Sequence, residues 1–287
     1  MPHCSTSSVL VLLLVAGLLG CNEEKGSNER RALVERDQAV ALDVFRQDLR
    51  RGVVGVRRAA DLMARRFPDP DEARRERELR ATLQRIQRPP RAIEELMISP
   101  LSFVAAIGTD GKVIARDTDP DPMRGYDLAA VAPVVRRALQ QGEAGYELTE
   151  LPSQVEGEST SVTILFAAPA RRNGEIVGAV AAGLPLWRLG QQLSRQLQFQ
   201  NAQELQQGYH LWALVYRGDQ LHHHAGFPPG LVELTPNAAA RAEGLRASAG
   251  GYTAEVQQYG RWYGYLVLPL PRLGPDVGMI LYRSDPF

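Results

Sequence analysis

The second half of this chain repeats the plan of the first, and that repeat limits the folds open to it. With an offset of one hundred residues, Pro169 falls on Pro269, Arg172 on Arg272, Gly174 on Gly274, Val177 on Val277 and Gly178 on Gly278, with no gap needed. Upstream, Gly145-Tyr146 matches Gly251-Tyr252, and the turn glycines Gly111 and Gly218 lie a similar distance before them. A two-residue hairpin needs positive φ, which glycine adopts without steric penalty, so glycines recurring at these places mark copied hairpins. A match at such long range indicates duplicated units.

Each unit predicts strand, turn, strand, helix and three strands. In the first, residues 103–107 and 112–116 flank Asp110-Gly111, residues 128–140 are helical, 146–151 extended, and 162–168 and 176–182 flank Asn173-Gly174. In the second, 211–217 and 220–224 flank Gly218-Asp219, followed by a helix over 237–246 and strands over 252–258, 263–268 and 277–282. A glutamine-rich helix, 186–206, joins the units. Ahead of them Leu42, Phe45, Leu49, Val53, Val56, Ala60, Met63 and Phe67 recur at spacings of three and four, one stripe of a long helix. Pro68 ends it, and Asp69-Pro70-Asp71-Glu72 predicts a fresh start with Asp69 as N-cap. The fold class is α+β: a long N-terminal helix followed by two modules, each an antiparallel sheet with flanking helices.

At the N-terminus, residues 9–19 (VLVLLLVAGLL) are too short an apolar run to span a bilayer and suit a secretory leader. With Leu18-Leu19-Gly20-Cys21 the segment resembles a lipoprotein signal peptide, which implies cleavage before Cys21 and acylation of its thiol with fatty chains such as palmitate. Residues 1–20 are then the leader, 21–30 a tether, 31–98 a helical stalk, 99–206 a distal module and 207–287 a proximal one. Cys4 would leave with the leader, so the mature chain would hold no disulfide framework, zinc cluster or cysteine nucleophile. Asn22 after the cysteine, rather than aspartate, points to the periplasmic side of the outer membrane.

Equal counts of 33 basic and 33 acidic residues give no case for a nucleic-acid partner. Asp117, Asp119 and Asp121 alternate as in a calcium loop, but Met123 and Leu128 stand where the turn glycine and closing glutamate belong, so a solvated acidic loop is favoured. His222 and His224 would face the same way on a strand, yet no cysteine or carboxylate lies close in sequence, and no metal site is assigned. Nucleophile elbow, P-loop, dinucleotide fingerprint and haem-attachment motif are all missing from the sequence, so neither an enzyme nor a cofactor is expected.

The stretch Ala105-Ala106-Ile107-Gly108-Thr109-Asp110-Gly111-Lys112-Val113-Ile114-Ala115, then Gly125-Tyr126-Asp127-Leu128 and a helix, resembles the opening of the extracytoplasmic Cache sensor domains, which are PAS-like. The hairpin from Ala167-Ala168-Pro169 through Gly174-Glu175-Ile176-Val177-Gly178-Ala179-Val180 is also similar, and the resemblance covers residues 31–284. It implies a small-molecule ligand in the distal module, between the sheet and the loop-helix over 116–146, with Tyr126, Arg136, Tyr146, Thr163 and Trp187 the residues to test for lining the pocket. Where many relatives carry an arginine followed by aromatic residues, this chain has Ala132-Pro133-Val134-Val135, and Gly183 stands where amino-acid binders have an aspartate. A buried ammonium with no carboxylate partner is costly, so an amino-acid ligand is not expected.

The leading expectation is a lipid-anchored sensor or ligand-binding accessory that presents its ligand state to a membrane partner, a chemoreceptor or histidine kinase. The alternative is a structural or interaction lipoprotein with degenerate modules, no ligand, and a stalk helix that pairs with another chain, including a homodimer.

Overall fold

The computed structural model describes residues 7–152, 160–258 and 260–285, with side chains from residue 28 onward. The side chain of Cys21 and those of the 1–20 leader lie outside the described residues. Helix α1 (Ser7–Met63) is followed by α2 (Glu72–Arg85) and α3 (Glu94–Ile98). The cap of α2 is Asp71, whose Oδ1 accepts the Arg74 amide at 3.0 Å, and not Asp69. Asp69 Oδ1 instead accepts the amide of Asp71 at 3.0 Å, a local turn that competes for the side chain the cap would have used.

The first module holds β1 (Phe103–Ile107), β2 (Val113–Arg116), α4 (Leu128–Val131), α5 (Pro133–Gln140), β3 (Gly145–Pro152), β4 (Thr160–Arg172) and β5 (Glu175–Pro185). After α6 (Leu186–Gln200) and α7 (Ala202–Gln206), the second holds β6 (Leu211–Arg217), β7 (Gln220–His222), α8 (Pro229–Glu233), α9 (Ala238–Ala247), β8 (Tyr252–Gln258), β9 (Arg261–Pro269) and β10 (Val277–Ser284). The helix predicted over 128–140 is two, because Ala132 is extended ahead of Pro133 and a residue before proline avoids the helical region. The strand orders are β2-β1-β5-β4-β3 and β7-β6-β10-β9-β8, so the second sheet copies the first strand for strand.

Gly174 and Gly274 occupy the same connection in the two copies, between β4 and β5 and between β9 and β10. The turns differ in detail. Asn173 and Gly174, at φ 53° and 89°, make a two-residue turn, whereas residues 270–276, with Pro271 and Pro275, make a longer one. Pro169 accordingly pairs with Ala179 and Pro269 with Gly278, the one-residue difference being taken up by an irregularity at Ala170/Arg171.

Each sheet is covered on both faces. On one, α1 crosses both modules, and alternate residues such as Val104, Ala106, Phe166 and Ala182 of the first sheet and Ala213, Val215, Met279 and Leu281 of the second join Phe45, Leu49, Val56 and Met63 in one continuous core. Gly52 lets the helix lie against the Phe166 ring, where a Cβ would collide with it. On the other face, α4 and α5 cover the first sheet, and α8 covers the second with the loops around it.

Charged groups at Arg30 and Asp37 fasten α1 to the second module. Arg30 reaches Glu255 Oε1 at 3.1 Å and Asp285 Oδ2 at 2.9 Å. Asp37 meets Arg283 at 2.8 Å. Asp48 differs from these: it is 1% exposed, neither carboxylate oxygen accepts a hydrogen bond, and Arg51 is 3.7 Å away. Burial pushes its carboxyl from 3.8 up to about 6, with Arg51 pulling weakly the other way. Because the folded value lies above the unfolded one, the folded form binds the proton more tightly, and this group's contribution to stability falls as pH rises through 6. A rise of this size corresponds to roughly 2–3 kcal/mol. Asp48→Asn removes the slope, so the variant's unfolding free energy relative to wild type should rise by that amount between pH 4 and pH 7 in urea melts. Parallel pH profiles for the two proteins would refute it.

Candidate functional site

The face of the first sheet away from α1 is where a loop-helix ligand site would lie. Here Val134, Val135 and Ala138 of α5 are fully buried against small residues of the sheet, among them Ala105, Ala167, Ala179 and Ala181. Alanines at successive facing positions let the helix settle directly on the strands, so the middle of this face is filled. Glu147 on β3 fixes the arrangement: its Oε1 accepts the Val134 amide at 2.8 Å and its Oε2 takes Arg137 Nη2 at 3.3 Å. A carboxylate at a helix N-terminus serves both an unpaired amide and the helix dipole. Gly183 pairs with Phe103 across the sheet, and the Phe103 ring occupies the space a side chain at 183 would need.

Space opens at the end of this layer. A cavity of about 280 Å³ is lined by Phe103, Met123, Leu151, Pro185, Trp187 and Arg188. Ser102, Ser161 and Thr163 add hydroxyls to its wall. Thr163 is 2% exposed, and its Oγ1 donates to the Ser161 carbonyl at 3.3 Å. Arg188 lies in the first turn of α6, its Nη1 donating to the Leu101 carbonyl at 2.5 Å and its guanidinium 5.2 Å from the Trp187 ring centre. Burial alone lowers its pKa from the usual value.

Of the five residues singled out from the sequence, Thr163 and Trp187 share this cavity. Tyr126 is half-buried beside the same layer. Arg136 is exposed and caps α4, donating to the carbonyls of Ala129 at 2.7 Å and Ala130 at 3.1 Å. Tyr146 pairs with Phe166 and lies on the α1 face, with ring centres 6.0 Å apart. Phe103, Met123 and Arg188 were not singled out. The available signal was Arg188 itself, a cation in a helix first turn that carries no acidic residue, against the helix dipole.

Asp117, Asp119 and Asp121 turn to different partners: Asp117 accepts from Gln87 Nε2 at 2.9 Å, Asp119 pairs with Arg80 at 3.1 Å, and Asp121 accepts the Met123 amide at 2.9 Å. β7 ends at His222, and His224 packs beside the Trp212 and Phe227 rings. Among the described residues no group of three or more histidines, cysteines or carboxylates gathers as a metal site would need.

In the second module the matching face is filled by Tyr216, Tyr263, Tyr265, Tyr282 and Phe227. Arg241 stacks 4.3 Å from the Tyr216 ring centre and donates to the carbonyls of Pro236 and Gly218. Desolvation pushes the Tyr252 hydroxyl up to about 12, so these phenols stay neutral at physiological pH.

Two modules with the same five-strand order, mounted on one long helix, give a fold shared with ligand-binding domains of chemoreceptors. The ligand-binding domain of the Campylobacter jejuni chemoreceptor Tlp3, solved with L-valine, is similar over 92% of this chain and 94% of its own, with a TM-score of 0.53 at 9% identity. The ligand-binding domain of the Pseudomonas fluorescens chemoreceptor CtaA, solved with L-serine, is similar over 92% of this chain and 98% of its own, with a TM-score of 0.50 at 18% identity. No protein-family model and no curated protein matches the chain.

Proposed function

We propose that this protein is an extracytoplasmic Cache-type sensor, held at a membrane by acyl chains on Cys21, that presents the ligand state of its distal module to a chemoreceptor or histidine kinase. The observation that carries the reading is the likeness to chemoreceptor ligand-binding domains over nearly the whole chain. A cavity edged by Thr163 and Trp187 supports a ligand in the distal module. Among the described residues no helix is long and apolar enough to cross a membrane, which leaves room for a lipid as anchor. Acylation at residue 21 would place the second module nearest the membrane, because Arg30 is docked on it and Phe67 lies against the first.

The same α5 contacts favour a second reading, a structural or interaction lipoprotein without ligand, because they fill the middle of the face a ligand would use. Mass spectrometry of the protein extracted from membranes separates the two. The sensor reading expects an N-terminal peptide beginning at acylated Cys21, a small molecule released on denaturation, and a co-purifying receptor or kinase. A bare Cys21 thiol still preceded by an uncut 1–20 segment would remove the anchor. Protein partners with no small molecule would favour the second reading.

A further inference from the structure

We propose that the cavity beside α6 binds a small organic carboxylate, its carboxylate paired with Arg188 and its apolar body lying against Trp187, Phe103 and Met123. The proposal rests on the sensor reading and names the chemistry of what is sensed.

Charge decides the ligand's head group. Arg188 lines the cavity half-buried, with one hydrogen bond to a neutral carbonyl and no carboxylate paired with it among the described residues. A desolvated guanidinium is costly without an anion, and a bidentate carboxylate matches its planar fork. Other arginines near this sheet are already compensated: Arg124 meets Glu76 at 2.6 Å, Arg80 meets Glu76 at 2.7 Å, and Arg137 meets Glu147 at 3.3 Å. The wider groove at the opposite end of the sheet, about 640 Å³, also has an arginine in its wall, Arg75, but the carboxylates of Glu72, Glu76 and Asp110 line it too and disfavour an anion there.

The rest of the wall decides the body. Aromatic, thioether and aliphatic groups make up most of it, and the hydroxyls of Ser161 and Thr163 can orient a polar head. Among the described residues no aspartate or glutamate lines it, so an ammonium would meet no counter-charge from them. At 280 Å³ the cavity sits at the small end of ligand sites, which run from about 300 to 1,000 Å³. A compact acid fits where a nucleotide or cofactor does not.

The test uses the full chain with benzoate and hexanoate as probes, set against benzylamine and phenylalanine, read by thermal shift and tryptophan fluorescence. Both acids should raise the melting temperature saturably, while benzylamine and phenylalanine do not. Arg188→Met should weaken acid binding at least tenfold and Arg188→Lys less. Should the Arg188→Met protein not fold, the Lys variant still tests the site by its weaker acid binding, and Trp187→Phe should lose most of the fluorescence change while its acid-induced thermal shift becomes smaller. Binding of benzylamine or phenylalanine in place of the acids would overturn the carboxylate assignment and leave the sensor reading standing. Acid binding unchanged in folded Arg188→Met, or no response to either acid at millimolar concentration, would also overturn the assignment, while the small molecule released in the membrane-extraction experiment judges the sensor reading separately.

Discussion

Leu49→Asp should abolish folding of this protein at every concentration, rather than dissociate a folded dimer. Leu49 is 3% exposed in the core shared by α1 and both sheets. Truncating a buried leucine costs about 2–5 kcal/mol, and a buried unpaired carboxylate adds several more, together about the whole stability of an ordinary domain. The substitution also sets a second acid next to Asp48, which is already buried without a hydrogen-bonded partner. Circular dichroism and size exclusion across a hundredfold range of concentration check this. A monomer with native spectrum and unchanged melting would show that the stripe faces another chain, as the helix-pairing alternative requires. The stripe instead packs on its own modules: Phe45, Val56, Ala60, Met63 and Phe67 are all buried, and Leu42 and Val53 are partly buried against the same core.

The architecture was legible because its signals are local and repeated. Asp110-Gly111, Asn173-Gly174 and Gly218-Asp219 each mark the tight turn of a real hairpin, and the three-four spacing before Phe67 marks the face of α1 that packs on both sheets. What escaped depends on parity and on competition. Tyr146 could be assigned a face only once its pairing with Phe166 was known, since a one-residue slip reverses every side chain of a strand. The α2 cap moved by two residues because Asp69 and Asp71 are both competent to hold an amide. The helix joining the modules ends at Gln200 and resumes at Ala202, a break that no proline or glycine announces. Of the cavity, Thr163 and Trp187 were within reach of sequence reasoning. Phe103 and Met123 were not, because they arrive from segments that only the completed sheet brings to its edge.

The single core that α1 shares with both modules has a polar counterpart that is open to measurement. Arg283→Met should cost about 3–5 kcal/mol, the usual penalty for removing one partner of a buried ion pair. Arg283 is 1% exposed on β10, with Nη1 at 2.8 Å from Asp37 of α1, Nη2 against Glu204 of α7, and the Tyr209 ring centre 5.4 Å from its guanidinium. Burial is the largest influence on both partners, pushing the Asp37 carboxyl up and the Arg283 guanidinium down despite their contact. Each charge is therefore offset chiefly by the other, and the single variant leaves Asp37 with Asn201 at 3.4 Å and Arg36 at 3.8 Å. Adding Asp37→Leu removes the stranded carboxylate, so the double variant should recover more than half of the loss in urea melts. A double variant as unstable as the sum of the two singles would show that the pair contributes no coupling and that α1 is held to β10 by apolar contact alone.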